Sequence, residues 1–316
     1  MTIPNDTGHP WRLNRFMELH SYRDTDCDLI VLRQFADDTD LEKNDRIWLS
    51  FIYALCNCAP TALYIFNHLP FPATPEQVDR FWYDAKPLLV FLDRSSLKRF
   101  NWIVGMINDF VLLTKGEPNF HELETPAKTY DHIYNEAIRW HQFSKKNAAS
   151  FTEAIGVIAG IPTEMDRINW RKGGLTTYGM LYMLYKDEEA EVHREKRLML
   201  NSDVKMCDKA LIQFMIDLFQ MNAPVSTISI AKNLRLFGSM FLGNYYVGYH
   251  TDRQITALKH LEQSLPEEQD LWTYVWQVRA SKLNPMLLGE VQGWKQISNP
   301  RLDFWRKYGR IGVENR

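Results

Sequence analysis

Cysteine is scarce in this chain. Cys27, Cys56, Cys58 and Cys207 are scattered, and the N-terminal MTIPNDTGHPWRLNRF that precedes them is polar and broken by prolines. That pattern excludes a secretory apolar segment and a disulfide framework, so reduced thiols in a cytoplasmic setting are expected. Cys56-Asn57-Cys58 lacks the two-residue gap of a zinc knuckle, and no CxxC or HxxxH accompanies it, so no metal site is expected. No apolar run reaches the roughly 18–20 residues needed to cross a bilayer, and no membrane partner is expected. GxxxxGK[ST], GxGxxG, GxSxG, HExxH and the kinase signatures are all missing. Charge of one sign is not in excess either. A net charge of -2 argues against nonspecific polyanion binding by the chain as a whole.

What is present is ordinary globular material, with 45% apolar and 24% charged residues, enriched in aromatics at 13%. Such rings either fill a wide core or supply stacking surfaces. Charge is distributed unevenly. Residues 1–45 hold ten acids (Asp6, Glu18, Asp24, Asp26, Asp28, Asp37, Asp38, Asp40, Glu42 and Asp45) against five bases, and residues 295–316 are basic, with Lys295, Arg301, Arg306, Lys307, Arg310 and Arg316.

Helical spacing dominates. Ile47, Phe51, Leu55 and Cys58 mark one helix, with Pro60 as its stop. Thr74-Pro75-Glu76-Gln77 reads as a capping box, and Ser150-x-x-Glu153 as a second. Ser96 and Thr125 are candidate caps for two more helices, the latter carrying a stripe of Tyr130, Ile133, Tyr134, Ala137 and Trp140. Ser202 precedes a long amphipathic pattern through Met206, Ala210, Ile212, Met215 and Phe219, and Thr251 and Pro266 begin the last strong ones. Nothing alternates with period two over a convincing length. The expectation is a mainly α fold, a compact multi-helix bundle forming one catalytic domain over 1–316. It admits two lobes at 30–185 and 200–295.

The densest chemistry lies in KNLRLFGSMFLGNYYVGYHTDR, residues 232–253. Lys232 and Arg235 share a helix face, while Gly238, Gly243 and Gly248 permit close backbone approach or sharp turns. Tyr245, Tyr246, Tyr249 and His250 then stand beside Asp252 and Arg253, and Asp252 falls in the first turn of the next helix. These residue types suit an anionic substrate carrying a ring. A Gly-rich interhelical loop with a capping Thr251 and a surface Asp–Arg pair is the structural alternative. Two further basic groups, Lys98 and Arg99 at a helix start and Arg171 and Lys172 before Gly173-Gly174, could hold phosphate. A solvated helix start and a plain turn explain them equally well.

Three blocks together resemble the bacteriophage amino acid:DNA transferases, also called α-glutamyl/putrescinyl thymine pyrophosphorylases. They are Arg46-Ile-Trp48-Leu-Ser-Phe51-Ile-Tyr53-Ala-Leu-Cys56, Arg235…Gly243…Tyr246-x-Gly248-x-x-x-Asp252-Arg253, and Leu271-Trp272-x-x-Val-Trp276-x-x-Arg279 through Leu288-Gly289-Glu290. The resemblance spans roughly residues 30–290, and GxxxDR is its most specific part. It implies a helical fold related to helix-hairpin-helix DNA glycosylases, with Val157-Ile158-Ala159-Gly160-Ile161-Pro162 faintly similar to their hairpin. It also implies a reaction, in which the pyrophosphate of 5-pyrophosphomethyl-deoxyuridine in DNA is replaced by the amine of an amino acid, glycine among the candidates, or a polyamine.

The C5 methylene of a duplex base is reached by flipping the base into an aromatic pocket. On this reading Asp252 or His250 is the base and Arg253 acts beside it. Lys232 and Arg235, with Tyr246 and Tyr249, bind substrate and pyrophosphate, and Lys98, Arg99, Arg171, Lys172, Arg306 and Lys307 bind double-stranded DNA. The scheme needs no cofactor or metal, although Mg²⁺ could accompany the pyrophosphate. The setting implied is the host cell cytoplasm. Two rival readings stay open, a glycosylase-like or 5-hydroxymethyluracil-processing helical protein, and a noncatalytic DNA-binding phage protein.

Overall fold

Apolar residues recurring every three to four positions bury a single stripe when the backbone is helical, and helices are what form. The computed structural model describes residues 16–17, 19–69, 71, 73–85, 89, 105–107, 110, 130–140, 143–165, 167–172, 174–184, 201–222, 225–241 and 248–288. Along the chain these give α1 (Cys27–Asp38), α2 (Lys43–Cys56), α3 (Ala59–His68), α4 (Pro75–Ala85), α5 (Tyr130–Ala137) and α6 (Lys145–Ile158). Then come α7 (Leu175–Leu184), α8 (Asn201–Gln220), α9 (Thr227–Phe241), α10 (Tyr249–Ser264), α11 (Gln269–Lys282) and α12 (Pro285–Leu288). Short 3-10 turns occur at Asp24–Asp26, Trp170–Lys172 and Pro266–Glu268. The fold is mainly α, and no strand occurs among the described residues. None of the described helices is long and apolar enough to cross a membrane.

Two compact units partition the chain. One comprises Met1–Thr25, Met165–Tyr249 and Asn284–Arg316, the other Asp26–Glu164 and His250–Leu283. Neither unit is a continuous stretch of sequence.

The second unit is organised around α2, which is buried from Ile47 to Cys56 and packs against α3 and α6. Its aromatics do the filling expected of them. Phe51 stacks on Phe110 at 4.1 Å and on Phe143 at 5.7 Å between centroids. Buried Trp48 and Trp272 direct their indole N–H groups to the carbonyls of Leu69 and Leu265, each at 2.9 Å, so their polar atoms are satisfied. Asn57 ends α2 in the left-handed region at φ 50°. Pro60 then sits in the first turn of α3 rather than merely stopping its predecessor, a place where a missing N–H costs nothing.

Of the expected caps among the described residues, one forms and two are corrected, since Thr251 lies inside α10, which starts at Tyr249. Thr74 and Gln77 bond reciprocally, Thr74 N–H to Gln77 Oε1 at 2.8 Å and Gln77 N–H to Thr74 Oγ1 at 3.3 Å, which is the expected box. Ser150 is not a cap. It lies inside α6 and donates to Asn57 Oδ1 at 2.7 Å, while Ser144 accepts the Asn147 N–H at 3.1 Å and starts the helix six residues earlier. The Val157–Pro162 segment is the end of α6. Gly160 turns there at φ 68°, and the next α-helix among the described residues begins only at Leu175, so no short hairpin joins two helices. The proposed Ser96 and Thr125 caps lie outside the described residues.

In the first unit, α7 is buried from Thr177 to Leu184 and packs closely on α9. The contact is glycine on backbone. A Cβ added to Gly238 would stand 2.6 Å from the Leu175 carbonyl oxygen, and Gly179 faces the Leu234 carbonyl in the same way. The long helix α8 follows its expected stripe in part, with Ala210 buried and Met206 and Met215 packed against the core, but the inward face is rotated from it. Cys207, Ala210, Leu211, Phe214 and Leu218 are buried, whereas Ile212 and Phe219 are exposed.

Candidate functional site

The acids near the N-terminus divide, with Asp37, Asp38, Asp40 and Glu42 exposed. Asp24, Asp26 and Asp28 are all buried, and two of them organise the segments around residues 248–254.

In the second unit, Asp28 stands in the first turn of α1 on the stripe shared by Val31, Leu32 and Phe35. Its Oδ1 accepts the Ala59 N–H at 2.9 Å, satisfying one orphan donor at the start of α3. The same oxygen accepts Gln254 Nε2–H at 2.7 Å from α10. Burial pushes the Asp28 carboxyl above its ordinary value, against these two hydrogen bonds and the positive charges of Arg279 and Arg253. Arg279 is only 1% exposed, in the last turn of α11, with its guanidinium carbon 5.6 Å from the Trp276 ring centroid. Gln254 is fully buried, and its Oε1 has no hydrogen-bond partner among the described residues. Burial, with the Asp28 charge behind it, also raises the Tyr53 phenol well above its usual range. A carboxylate, two guanidinium groups, an amide and a phenol thus gather where the three helices α1, α10 and α11 and the α2–α3 junction come together.

The thiols beside this centre are poor nucleophiles. Burial raises Cys56 well above the ordinary thiol and Cys58 to about 12, and a thiol at such values holds its proton at neutral pH. Cys56 donates to the Ile52 carbonyl at 3.4 Å, a structural role.

In the first unit a second polar group forms between residues 20–25, α9 and the turn before α10. Asn233 Nδ2 donates to the Ser229 carbonyl and faces His20 Nδ1, both at 2.9 Å, which makes Nδ1 an acceptor and leaves a ring N–H on Nε2. His20 and Asn233 are both buried, and Asn233 Oδ1 has no partner among the described residues. Lys232 Nζ donates to the Thr25 carbonyl at 3.3 Å. Asp24 accepts the Gly248 N–H at 3.0 Å and so pins the turn at φ 91° from which α10 starts.

The residues singled out from the sequence therefore fall in two places. Lys232, Arg235 and Tyr249 belong to the first unit, where Lys232 and Tyr249 are half-buried and Arg235 is exposed. His250, Asp252 and Arg253 belong to the second, where Asp252 is 9% exposed in the first turn of α10 and the other two are half-buried. Tyr246 and Gly243 lie outside the described residues, as do Lys98, Arg99, Arg306 and Lys307. Arg171 is exposed on the turn that buried Trp170 anchors through its bond to Asp208 at 2.7 Å, and the side chain of Lys172 lies outside the description. Gly174 turns at φ 90° ahead of α7, in keeping with the turn reading.

Sequence reading gave no role to Asp24, Asp28, His20, Asn233, Gln254 or Arg279. One signal was there to be used. Asp28 sits at i relative to Val31, Leu32 and Phe35 at i+3, i+4 and i+7, and a carboxylate on an apolar stripe is either paired inside or an error of register. Comparison of the chain with protein-family models, with curated proteins and with solved structures finds no match.

Proposed function

We propose that this chain is a transferase acting on DNA, which exchanges the pyrophosphate of 5-pyrophosphomethyl-deoxyuridine for the amine of an amino acid or polyamine. In the reaction the amine lone pair forms a bond to the C5 methylene carbon, the methylene C–O bond breaks, and pyrophosphate departs with the electron pair. The surplus proton of the amine passes to the Asp252 carboxylate. Negative charge develops on the leaving group, and fixed cations stabilise it most where water is excluded. Arg253, half-buried on α10, is the cation suited to that task in the second unit.

A single observation carries this reading. The three blocks on which the resemblance rests are far apart in sequence, yet Tyr53 and Cys56 of the first, Arg253 of the second and Arg279 of the third all act electrostatically on or under Asp28. Their shared surroundings are chemically loaded rather than merely apolar. Taking a carboxylate and a guanidinium out of water costs several kcal/mol per ion, and apolar replacement is often as stable.

The test is direct. The protein is incubated with duplex containing pyrophosphomethyluracil and a mixture of amino acids and polyamines, and the digested nucleosides are weighed by mass spectrometry. A nucleoside carrying a new C–N bond at the methylene is the expected product. Recovery of only unmodified or hydrolysed nucleosides would remove the transferase reading, and abasic sites would replace it with a glycosylase.

A further inference from the structure

We propose that the exposed face of α8 is a homodimer seam on which the α8 helix of a second copy packs antiparallel. This inference is independent of the reaction assigned above.

Ile212, Ile216 and Phe219 are 59%, 45% and 75% exposed, on the side of α8 opposite buried Cys207, Ala210, Leu211, Phe214 and Leu218. Exposed Lys205 and Lys209 continue the same stripe toward the N-terminus. The spacing 205, 209, 212, 216, 219 alternates four and three, which is the seam of a coiled coil rather than the broader face of a core helix.

Charge selects the occupant and its direction. Parallel pairing of two copies would stack Lys205 on Lys205 and Lys209 on Lys209, like charges in direct opposition. The antiparallel register sets Ile212 against the partner's Ile216 and Lys209 against the partner's Phe219, so the lysine stem covers the ring and its ammonium reaches water. The four central layers of the seam are then apolar on apolar or lysine on aromatic, and Lys205 falls beyond the end of the partner helix.

Area agrees. Ile212, Ile216 and Phe219 together expose on the order of 400 Å² of side-chain surface, within the range of the largest patch on a monomer. A stable dimer buries about 800 Å² per partner, and the stems of Lys205, Lys209 and Gln213 supply much of the remainder. The expected dimer is one of micromolar strength.

Sedimentation of the full chain from about 1 µM to about 100 µM should show a monomer passing to a dimer. Ile216→Glu and, separately, Phe219→Lys should each weaken the dimer at least tenfold with an unchanged far-ultraviolet spectrum, since both side chains face water in the monomer. Gln213 lies near the two-fold axis, so Gln213→Cys should link two copies by a disulfide under mild oxidation. Lys205→Cys should not, because the antiparallel register separates the two positions by about 27 Å along the helix. The native thiols are buried and do not compete. A monomer at every concentration, a dimer indifferent to both substitutions, or linkage through Lys205→Cys as efficient as through Gln213→Cys would each overturn the proposal.

Discussion

Asp252 is held in the first turn of α10, and its backbone carbonyl accepts the Thr256 hydroxyl at 2.9 Å. Asp252→Asn keeps that shape, so fold and DNA affinity should persist while turnover falls about 10²–10⁴-fold, the range for a lost general base. Single-turnover kinetics with mass detection checks this, and an unfolded variant with unimpaired residual activity would reassign Asp252 as a cap. Arg279 makes a different prediction, about stability and pH. The Asp28 carboxyl is raised by burial, so its contribution to stability is complete below the unfolded pKa and is lost as pH rises through the folded value. Arg279→Met removes an opposing positive charge and moves that folded value further up. The variant should lose about 3 kcal/mol near neutral pH, and less at acid pH, where Asp28 takes up a proton. Urea unfolding at the two pH values reads the difference, and an equal loss at both would detach Arg279 from Asp28.

At the scale of elements, local signals worked where the deciding chemistry is local. The Thr74–Gln77 box needs only four consecutive residues, and it forms. Ser150-x-x-Glu153 has the same spelling but lies within a helix that Ser144 has already started, so its hydroxyl serves Asn57 instead. Ser144→Ala should therefore cost about 1 kcal/mol of stability by removing a cap. The close packing of α7 on α9 depends on Gly238, whose added Cβ would meet the Leu175 carbonyl. Gly238→Ala should cost about 1–3 kcal/mol because backbone cannot yield as a side-chain end does. Thermal melts of both variants check these values, and a neutral Gly238→Ala would mean that the two helices separate freely.

For the whole molecule the open quantity is DNA. Neutralising any two of Lys98, Arg99, Arg171, Lys172, Arg306 and Lys307 should weaken duplex binding and flatten log K against log salt by about one to two. An unchanged slope in fluorescence titration would put the DNA elsewhere. The helical class and the place of Asp252 in the first turn of α10 were legible along the chain, because periodicity and first-turn chemistry are properties of neighbouring residues. So was the use of Gly238 and Gly248 for close approach and for turning. The division into units that interleave in sequence was not legible, nor was the burial of Asp24 and Asp28. Which stripe of α8 faces inward also stayed hidden, since both of its faces carry apolar residues at helical spacing. Those outcomes depend on which distant segment arrives, here Gln254 and Arg279 beside Asp28, and a carboxylate can enter a core only when such partners come with it.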